Sequence, residues 1–167
     1  SALNVAAGLV KKGRKVLAID FDPQGNLSDY LRHEADELPT ISELLQSAAN
    51  RELDKLDVGR CVRHNHEGID YIPSNILLAS ADIFLAQVIC REQVLRKLLS
   101  HPAFGSYDYI IIDCLPSLNV LLTNALAAST GVLIPVQTQK FSLDGLRQLE
   151  EVYRLGRVNG NPNLVVV

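Results

Sequence analysis

The 167-residue sequence contains no methionine and only three cysteines. The cysteines, Cys61, Cys90 and Cys114, are odd in number and show no C-x-x-C spacing, so the sequence supports neither a disulfide framework nor a zinc site. We expect all three to be buried structural thiols, as is common for free cysteine. Long apolar runs are also missing, and none approaches the roughly 20 residues of a membrane-spanning helix. We therefore expect a cytoplasmic protein.

The composition is that of a folded domain. Hydrophobic residues make up 47% of the chain and charged residues 21%, which excludes a disordered chain. The net charge of −3 argues against a chain that binds nucleic acid through overall positive charge. The missing methionine, a start within a helical pattern and an end within a strand pattern lead us to expect a piece of a longer protein.

Helical and strand patterns alternate along the sequence. Strands carry β-branched residues without polar alternation, which is typical of parallel strands covered on both faces. The helix from Ile41 has Thr40 and Glu43 placed as a capping box. The alternation predicts an α/β fold with a mostly parallel sheet flanked by helices. The predicted helices are 3–10, 41–48, 80–99, 118–128 and 142–155, and the predicted strands are 15–20, 69–72, 106–113, 131–136 and from 164.

Carboxylates follow two of the predicted strands. Asp20 and Asp22 lie at the end of the first, and Asp113 ends the strand 106–113. In open α/β sheets, ligands bind beyond the carboxyl ends of the strands. A carboxylate there needs a cation, a metal or several donors to offset the loss of hydration. Asp113 is therefore either a magnesium-binding acid or a carboxylate that caps the next turn.

The run from Asp20 to Asn26 contains several turn-forming and polar residues. Pro23 and Gly25 favour a sharp turn, which would allow both acids to face the same cleft. Gln24 and Asn26 add neutral groups that can orient water or phosphate oxygens. The alternative is an ordinary turn without a chemical role.

Four segments, in order, resemble one protein family. The string VLAIDFDPQGN, residues 16–26, resembles the switch I region of ParA/Soj partitioning ATPases, which are P-loop proteins of the deviant Walker A class. YDYIIIDCLPSLN, residues 107–119, resembles their Walker B and switch II segment. Residues 69–75 and 131–149 look like two further family segments. The resemblance covers most of the chain.

The resemblance implies roles for eight residues. Asp22 would position or activate the attacking water, with Asp20 as its partner near the magnesium and the phosphates. Asp113 would hold Mg²⁺ through a water molecule. The implied nucleotide-binding residues are Gln24, Gly25, Asn26, Pro116 and Ser117.

The resemblance also implies a P-loop type fold, with residues 1–167 as one partial α/β nucleotide-binding domain. Its cofactors would be ATP and Mg²⁺. A homodimer would form on ATP binding, bind DNA nonspecifically on the nucleoid, and hydrolyse ATP when stimulated by a ParB-type partner, with no membrane involved. The alternatives are a MinD-like or other positioning ATPase and a non-catalytic adaptor that retains the fold.

The sequence departs from the family pattern at two places. Leu115 stands where the family usually has a proline, and we expect altered switching rather than lost binding. The Lys-Gly-Gly-x-Gly-Lys-Thr phosphate loop does not occur in these residues, so we expect the first strand and this loop to lie upstream. Without this loop, we expect residues 1–167 alone to bind ATP poorly or not at all and to be inactive as an ATPase.

Two groups of residues are predicted to lie on the surface of the protein. The cations Lys140, Arg147, Arg154 and Arg157 are interleaved with acids, which is typical of a solvated face. His64 and His66 lack a third metal ligand and are predicted to lie in an exposed loop.

Overall fold

The computed structural model describes residues 1–115 and 119–135, together with 150, 151, 154, 161, 165 and 166. The helices are α1 Ala2–Lys11, α2 Asn26–Tyr30, α3 Ile41–Ala49, α4 Ala81–Phe84, α5 Val94–Leu99 and α6 Val120–Ala128. The strands are β1 Val16–Phe21, β2 Arg63–His64, β3 Asp70–Ile72, β4 Tyr109–Cys114, β5 Gly131–Val132 and β6 Val165–Val166. Short 3₁₀ turns cover Leu53–Lys55, Val58–Cys61, Ile76–Ser80, Arg91–Gln93 and Pro102–Phe104.

Four of the strands form one sheet in the order β2-β3-β1-β4. β1 is parallel to both β3 and β4, whereas β2 is antiparallel to β3. β5 and β6 form a separate parallel pair. The predicted α/β fold with a mostly parallel sheet flanked by helices is confirmed.

β1 is buried along its whole length because helices cover both faces of the sheet. Leu17, Ile19 and Phe21 point into the larger core, which they share with α3, α5 and α6. Val16 and Ala18 point to the opposite face and pack with residues of α1 and α2. This two-sided burial explains why the strand lacks polar alternation.

The predicted capping box at the start of α3 is present. The Thr40 Oγ1 atom accepts a hydrogen bond from the Ser42 backbone N–H, and the Glu43 carboxylate accepts from the Thr40 backbone N–H at 2.9 Å. The Ile41 N–H donates to the Pro73 carbonyl at 3.0 Å, which ties the helix to the end of β3. The start of α3 therefore lies beside the carboxyl edge of the sheet.

A buried arginine holds the segment that leads into α3. Arg63 is 8% exposed, and its guanidinium donates to both oxygens of Asp36, at 2.6 and 3.1 Å. It also donates to the backbone carbonyls of Leu38, Pro39 and Cys61. The guanidinium is thus paired and hydrogen-bonded, as a buried charge requires.

The single long helix predicted over 80–99 is wrong. The region contains the short helices α4 and α5, separated by Cys90, which has a left-handed backbone with φ of 57°. A residue in that conformation cannot continue a right-handed helix. The spacing of apolar residues predicts helix in the regions of α4 and α5, but it does not reveal that the helix is interrupted at Cys90.

The prediction of a fully covered central strand at 106–113 also needs correction. β4 begins at Tyr109, pairs only with β1 among the described strands, and has half-buried side chains after an exposed Tyr109. Its start is fixed by the Lys15 carbonyl, which accepts hydrogen bonds from the N–H groups of Asp108 and Tyr109. A β-branched run indicates a strand but not its place in the sheet.

The three cysteines differ in exposure. Cys61 is buried as predicted and Cys114 is partly buried, but Cys90 is exposed, so the prediction of three buried thiols is wrong. The left-handed backbone of Cys90 lies in a connection, where burial is not required.

The remaining elements are described in part. The strands expected at 131–136 and from 164 are represented by β5 and β6. Of the helix predicted over 142–155, residues 150, 151 and 154 are helical, and the others fall outside the described residues. No helix in the described part of the chain is long and apolar enough to cross a membrane.

Candidate functional site

Two acids lie side by side at the carboxyl edge of the sheet. Asp20 on β1 and Asp113 on β4 are register partners in neighbouring parallel strands. Side chains along a strand point alternately to the two faces of the sheet. Asp20 therefore points to the same face as Val16 and Ala18, the face that carries α1 and α2. Asp113, two residues after Ile111, points to the same face. The structure therefore brings together two of the acids that the sequence singled out.

Asp20 is almost fully buried, with 1% exposure. Its Oδ2 atom accepts hydrogen bonds from the backbone N–H and the hydroxyl of Ser28, each at 2.7 Å. Its Oδ1 atom accepts one from the Asp22 N–H at 3.3 Å. Three donors thus hold a carboxylate that solvent barely reaches, which fixes its orientation.

Asp22 organises the turn that follows β1. Its Oδ1 atom accepts from the Gln24 N–H at 2.9 Å, and its Oδ2 atom accepts from the Asn26 side-chain amide at 3.1 Å. Its carbonyl accepts from the Gly25 N–H at 3.0 Å. Gln24 and Asn26 therefore hold Asp22 in the site, a function that the sequence did not reveal. The side chain of Asp22 is 6% exposed.

Gly25 connects this turn to α2. Its φ of 70° lies in the left-handed region, where a residue without a Cβ atom has no steric penalty. It precedes Asn26, the first residue of α2, and a Cβ atom at this position would lie 4.0 Å from the Ser74 carbonyl oxygen. The glycine thus sets the direction in which α2 leaves the site.

Burial makes the paired acids difficult to ionise. Desolvation raises the pKa of Asp20, and the charge of Asp113 raises it further, although the hydrogen bonds from Ser28 and Asp22 oppose the change. Desolvation also raises the pKa of Asp113, and the charge of Asp22 adds to this. A cation between these acids would relieve both effects.

The thiol next to Asp113 is partly buried. Burial raises the pKa of Cys114 to about 11, and the charges of Asp113 and Asp22 contribute. The neighbouring carboxylates offer hard oxygen donors, which Mg²⁺ prefers to sulfur.

The donor set fits Mg²⁺ better than a metal enclosed by protein ligands. No cluster of three or more histidine, cysteine, aspartate or glutamate side chains with metal-binding geometry occurs among the described residues. Mg²⁺ is usually held by one or two carboxylates, with water and substrate phosphates completing its coordination. Asp20 and Asp113 supply two hard oxygen donors of this kind.

Two serines complete the site and were missed by the sequence analysis. Ser28 bonds Asp20, and its Oγ atom accepts from the Ser74 N–H at 3.1 Å. The Ser74 hydroxyl is itself buried and has no hydrogen-bond partner among the described residues. The sequence feature that could have identified Ser28 is a polar residue about one helical turn after Gly25, on the face of α2 that is buried.

The other candidate residues lie outside the described residues or make different contacts. Pro116 and Ser117 lie outside the described residues, as do Lys140, Arg147 and Arg157. Arg154 is exposed. His64 contacts the Asp70 carboxylate through Nδ1 at 2.5 Å, and Tyr107 donates to the other Asp70 oxygen at 2.8 Å.

A family model described as an AAA domain, AAA_31, matches residues 1–166 of the chain. The chain belongs to this family. The match includes both strands that carry the acids, so the site described above lies within the region matched by the family model.

Curated relatives of this AAA domain confirm the resemblance to ParA and Soj. The chain is 40% identical over 167 residues to the sporulation initiation inhibitor protein Soj of Bacillus subtilis (strain 168), covering 99% of the chain and 63% of Soj. It is 36% identical over 168 residues to the chromosome partitioning protein ParA of Caulobacter vibrioides (strain NA1000 / CB15N), covering 99% and 61%. The chain thus spans about three fifths of the length of these relatives.

A solved structure confirms the P-loop ATPase fold. Cobyrinic acid a,c-diamide synthase from Mycobacterium smegmatis, with bound ADP and magnesium, matches at a TM-score of 0.86 and 32% identity. The match covers 99% of this chain and 64% of the synthase chain. The same synthase has also been solved with an ATP analogue and magnesium.

Proposed function

We propose that this AAA domain supplies the ATP-hydrolysis switch of a ParA-like partitioning ATPase. The observation that carries this proposal is the register pairing of Asp20 with Asp113, with Asp22 held in the turn just beyond β1. Three acids at the carboxyl edge of a mostly parallel sheet are placed where ligands bind in such folds. The nucleotide and magnesium in a solved relative support the same interpretation.

Each acid has a distinct proposed role. Asp113 and Asp20 hold Mg²⁺, which would neutralise charge on the phosphate oxygens. Asp22 positions the attacking water, with its carboxylate oriented by Gln24 and Asn26. Phosphoryl transfer depends mainly on positioning and charge neutralisation, so these groups need no covalent step. The residues proposed to contact the nucleotide are Gln24, Gly25, Asn26, Pro116 and Ser117.

The whole protein's behaviour is inferred from its relatives. One relative is named the sporulation initiation inhibitor protein Soj, and another is named the chromosome partitioning protein ParA. We therefore propose that the complete gene product dimerises on ATP, binds DNA nonspecifically at the nucleoid, and responds to a ParB-type partner. A measurement of DNA retention with and without ATP tests the proposed DNA binding separately from ATP hydrolysis. Hydrolysis without such retention would favour another positioning ATPase.

The catalytic assignment is tested with Asp22→Ala in the complete gene product. We expect the variant to bind a fluorescent ATP analogue as the wild type does but to hydrolyse ATP about 100-fold more slowly, a typical effect of losing a positioned catalytic group. Asp29→Ala is the matched control because Asp29 is an exposed acid on α2. Equal hydrolysis by all three proteins would refute the role of Asp22.

A further inference from the structure

Ser28 makes the shortest contacts with the buried acid of the proposed switch. Its backbone N–H and its hydroxyl both donate to the same oxygen of Asp20, Oδ2, at 2.7 Å. The other oxygen, Oδ1, accepts only the longer bond of 3.3 Å from the Asp22 N–H. The two oxygens of Asp20 are therefore not equivalent.

The direction of the Ser28 hydroxyl is set by a third segment of the chain. Its oxygen accepts a hydrogen bond from the Ser74 N–H at 3.1 Å. A serine hydroxyl has a single hydrogen, and the short contact with Asp20 Oδ2 uses it. Ser28 and Ser74 are 4% and 8% exposed, so bulk water competes little for these bonds. The loop after β3 thus orients the hydroxyl, and the hydroxyl orients the acid.

We propose that Ser28 is a positioning residue that occupies Oδ2 of Asp20 and leaves Oδ1 to face Mg²⁺ beside Asp113. This inference rests on the proposed function. Without the hydroxyl, the carboxylate keeps the bond from the Ser28 backbone but loses the contact that resists rotation. The orientation of the Asp20 carboxylate that suits Mg²⁺ binding then becomes one of several that this side chain adopts.

The position of Ser28 depends on the turn that follows Asp22, because this turn leads directly into α2. Ser28 lies three residues after Gly25, which follows Asp22 through the turn. The same short segment therefore holds Asp22 through Gln24 and Asn26 and holds Asp20 through Ser28. A shift of α2 would change the hydrogen bonds of both acids together.

The test measures how much Mg²⁺ is needed to enhance binding of a fluorescent ADP analogue by the complete gene product. Ser28→Ala removes a hydrogen bond to a charged group, so we expect the half-saturating Mg²⁺ concentration to rise about tenfold. Ser42→Ala is the matched control, because Ser42 is equally buried at 4% and its hydroxyl bonds Asn75 rather than an acid of the site. We expect it to behave as the wild type.

Two further variants separate hydroxyl chemistry from packing. Ser28→Thr keeps the hydroxyl and should stay within about threefold of the wild type. Ser28→Cys keeps a similar volume with a much weaker donor, so it should resemble Ser28→Ala and replaces that variant if it fails to fold.

The outcomes distinguish the two claims. If the wild type shows no Mg²⁺ dependence, the proposed function fails. If the wild type is Mg²⁺-dependent but Ser28→Ala and Ser28→Cys match it and Ser42→Ala, the positioning inference is overturned. A threonine variant as impaired as the alanine variant would also overturn it, because packing would then explain the effect.

Discussion

The folded protein disfavours the ionised form of Asp113. Desolvation raises the pKa of its carboxyl above the ordinary value of 3.8, so the folded state holds this proton more tightly than the unfolded chain does. The free energy of unfolding therefore decreases as pH rises from 3.8 through the folded-state pKa. Above the folded-state pKa, this carboxyl therefore lowers the stability of the nucleotide-free protein.

Asp113→Asn should accordingly stabilise the nucleotide-free protein at pH 7. The expected result is a higher Tm than that of the wild type, with a difference that shrinks as pH falls towards 3.8. Thermal unfolding followed by circular dichroism across this pH range measures the effect. A difference that stays constant with pH would show that the gain does not come from the ionised acid.

Gly25 and Gly8 offer a matched pair of glycine substitutions. Gly25→Ala forces a side chain into a left-handed backbone with φ of 70° and should cost about 1 kcal/mol. Gly8→Ala, in the exposed interior of α1 with no atom within 4 Å of the new Cβ atom, should stabilise by roughly 0.5–1 kcal/mol. Urea unfolding measures both values. Equal effects of the same sign would contradict the role given to the Gly25 backbone.

Among the elements, α3 depends on its capping box. Thr40→Ala removes the side-chain acceptor for the Ser42 N–H, so the free energy of unfolding should fall by about 1 kcal/mol. Thr40→Ser retains the hydroxyl and should lose much less. The comparison is made by urea unfolding of the three proteins. An alanine variant as stable as the serine variant would show that the cap contributes nothing.

Elements with a strong local signal could be predicted from the sequence. β1 and α3 were foreseen because a continuous apolar run and a capping box are local patterns. The break at Cys90 was not, because the choice of a left-handed backbone depends on tertiary packing. The incomplete burial of β4 was also missed, since burial depends on contacts between segments far apart in sequence.

The site could be predicted in outline but not in detail. Strand ends placed Asp20 and Asp113 at one edge, because parallel strands end together. The contacts of Ser28 and Ser74 required the coordinates, since these residues are 46 positions apart. Gln24 and Asn26 were identified as polar groups of the site, yet nothing in their sequence pattern showed that they bind Asp22.

In the described part of the molecule, the two faces of the sheet differ in the residues that they carry. The larger core, shared with α3, α5 and α6, supplies most of the buried apolar residues. The opposite face, with α1 and α2, carries the paired acids at its carboxyl edge. The larger core can therefore stabilise the sheet, while the face with the acids retains the polar groups that ligand binding requires.

We propose that Asp20 and Asp113 form a magnesium-dependent nucleotide site. The affinity of the complete gene product for a fluorescent ADP analogue, measured with Mg²⁺ and with a chelator, tests this assignment. We expect Mg²⁺ to strengthen binding by the wild type and by Asp82→Asn, which alters an exposed acid on α4. In Asp113→Asn the Mg²⁺ effect should fall by about tenfold or more. A Mg²⁺ effect that persists undiminished in Asp113→Asn would contradict the assignment of this site.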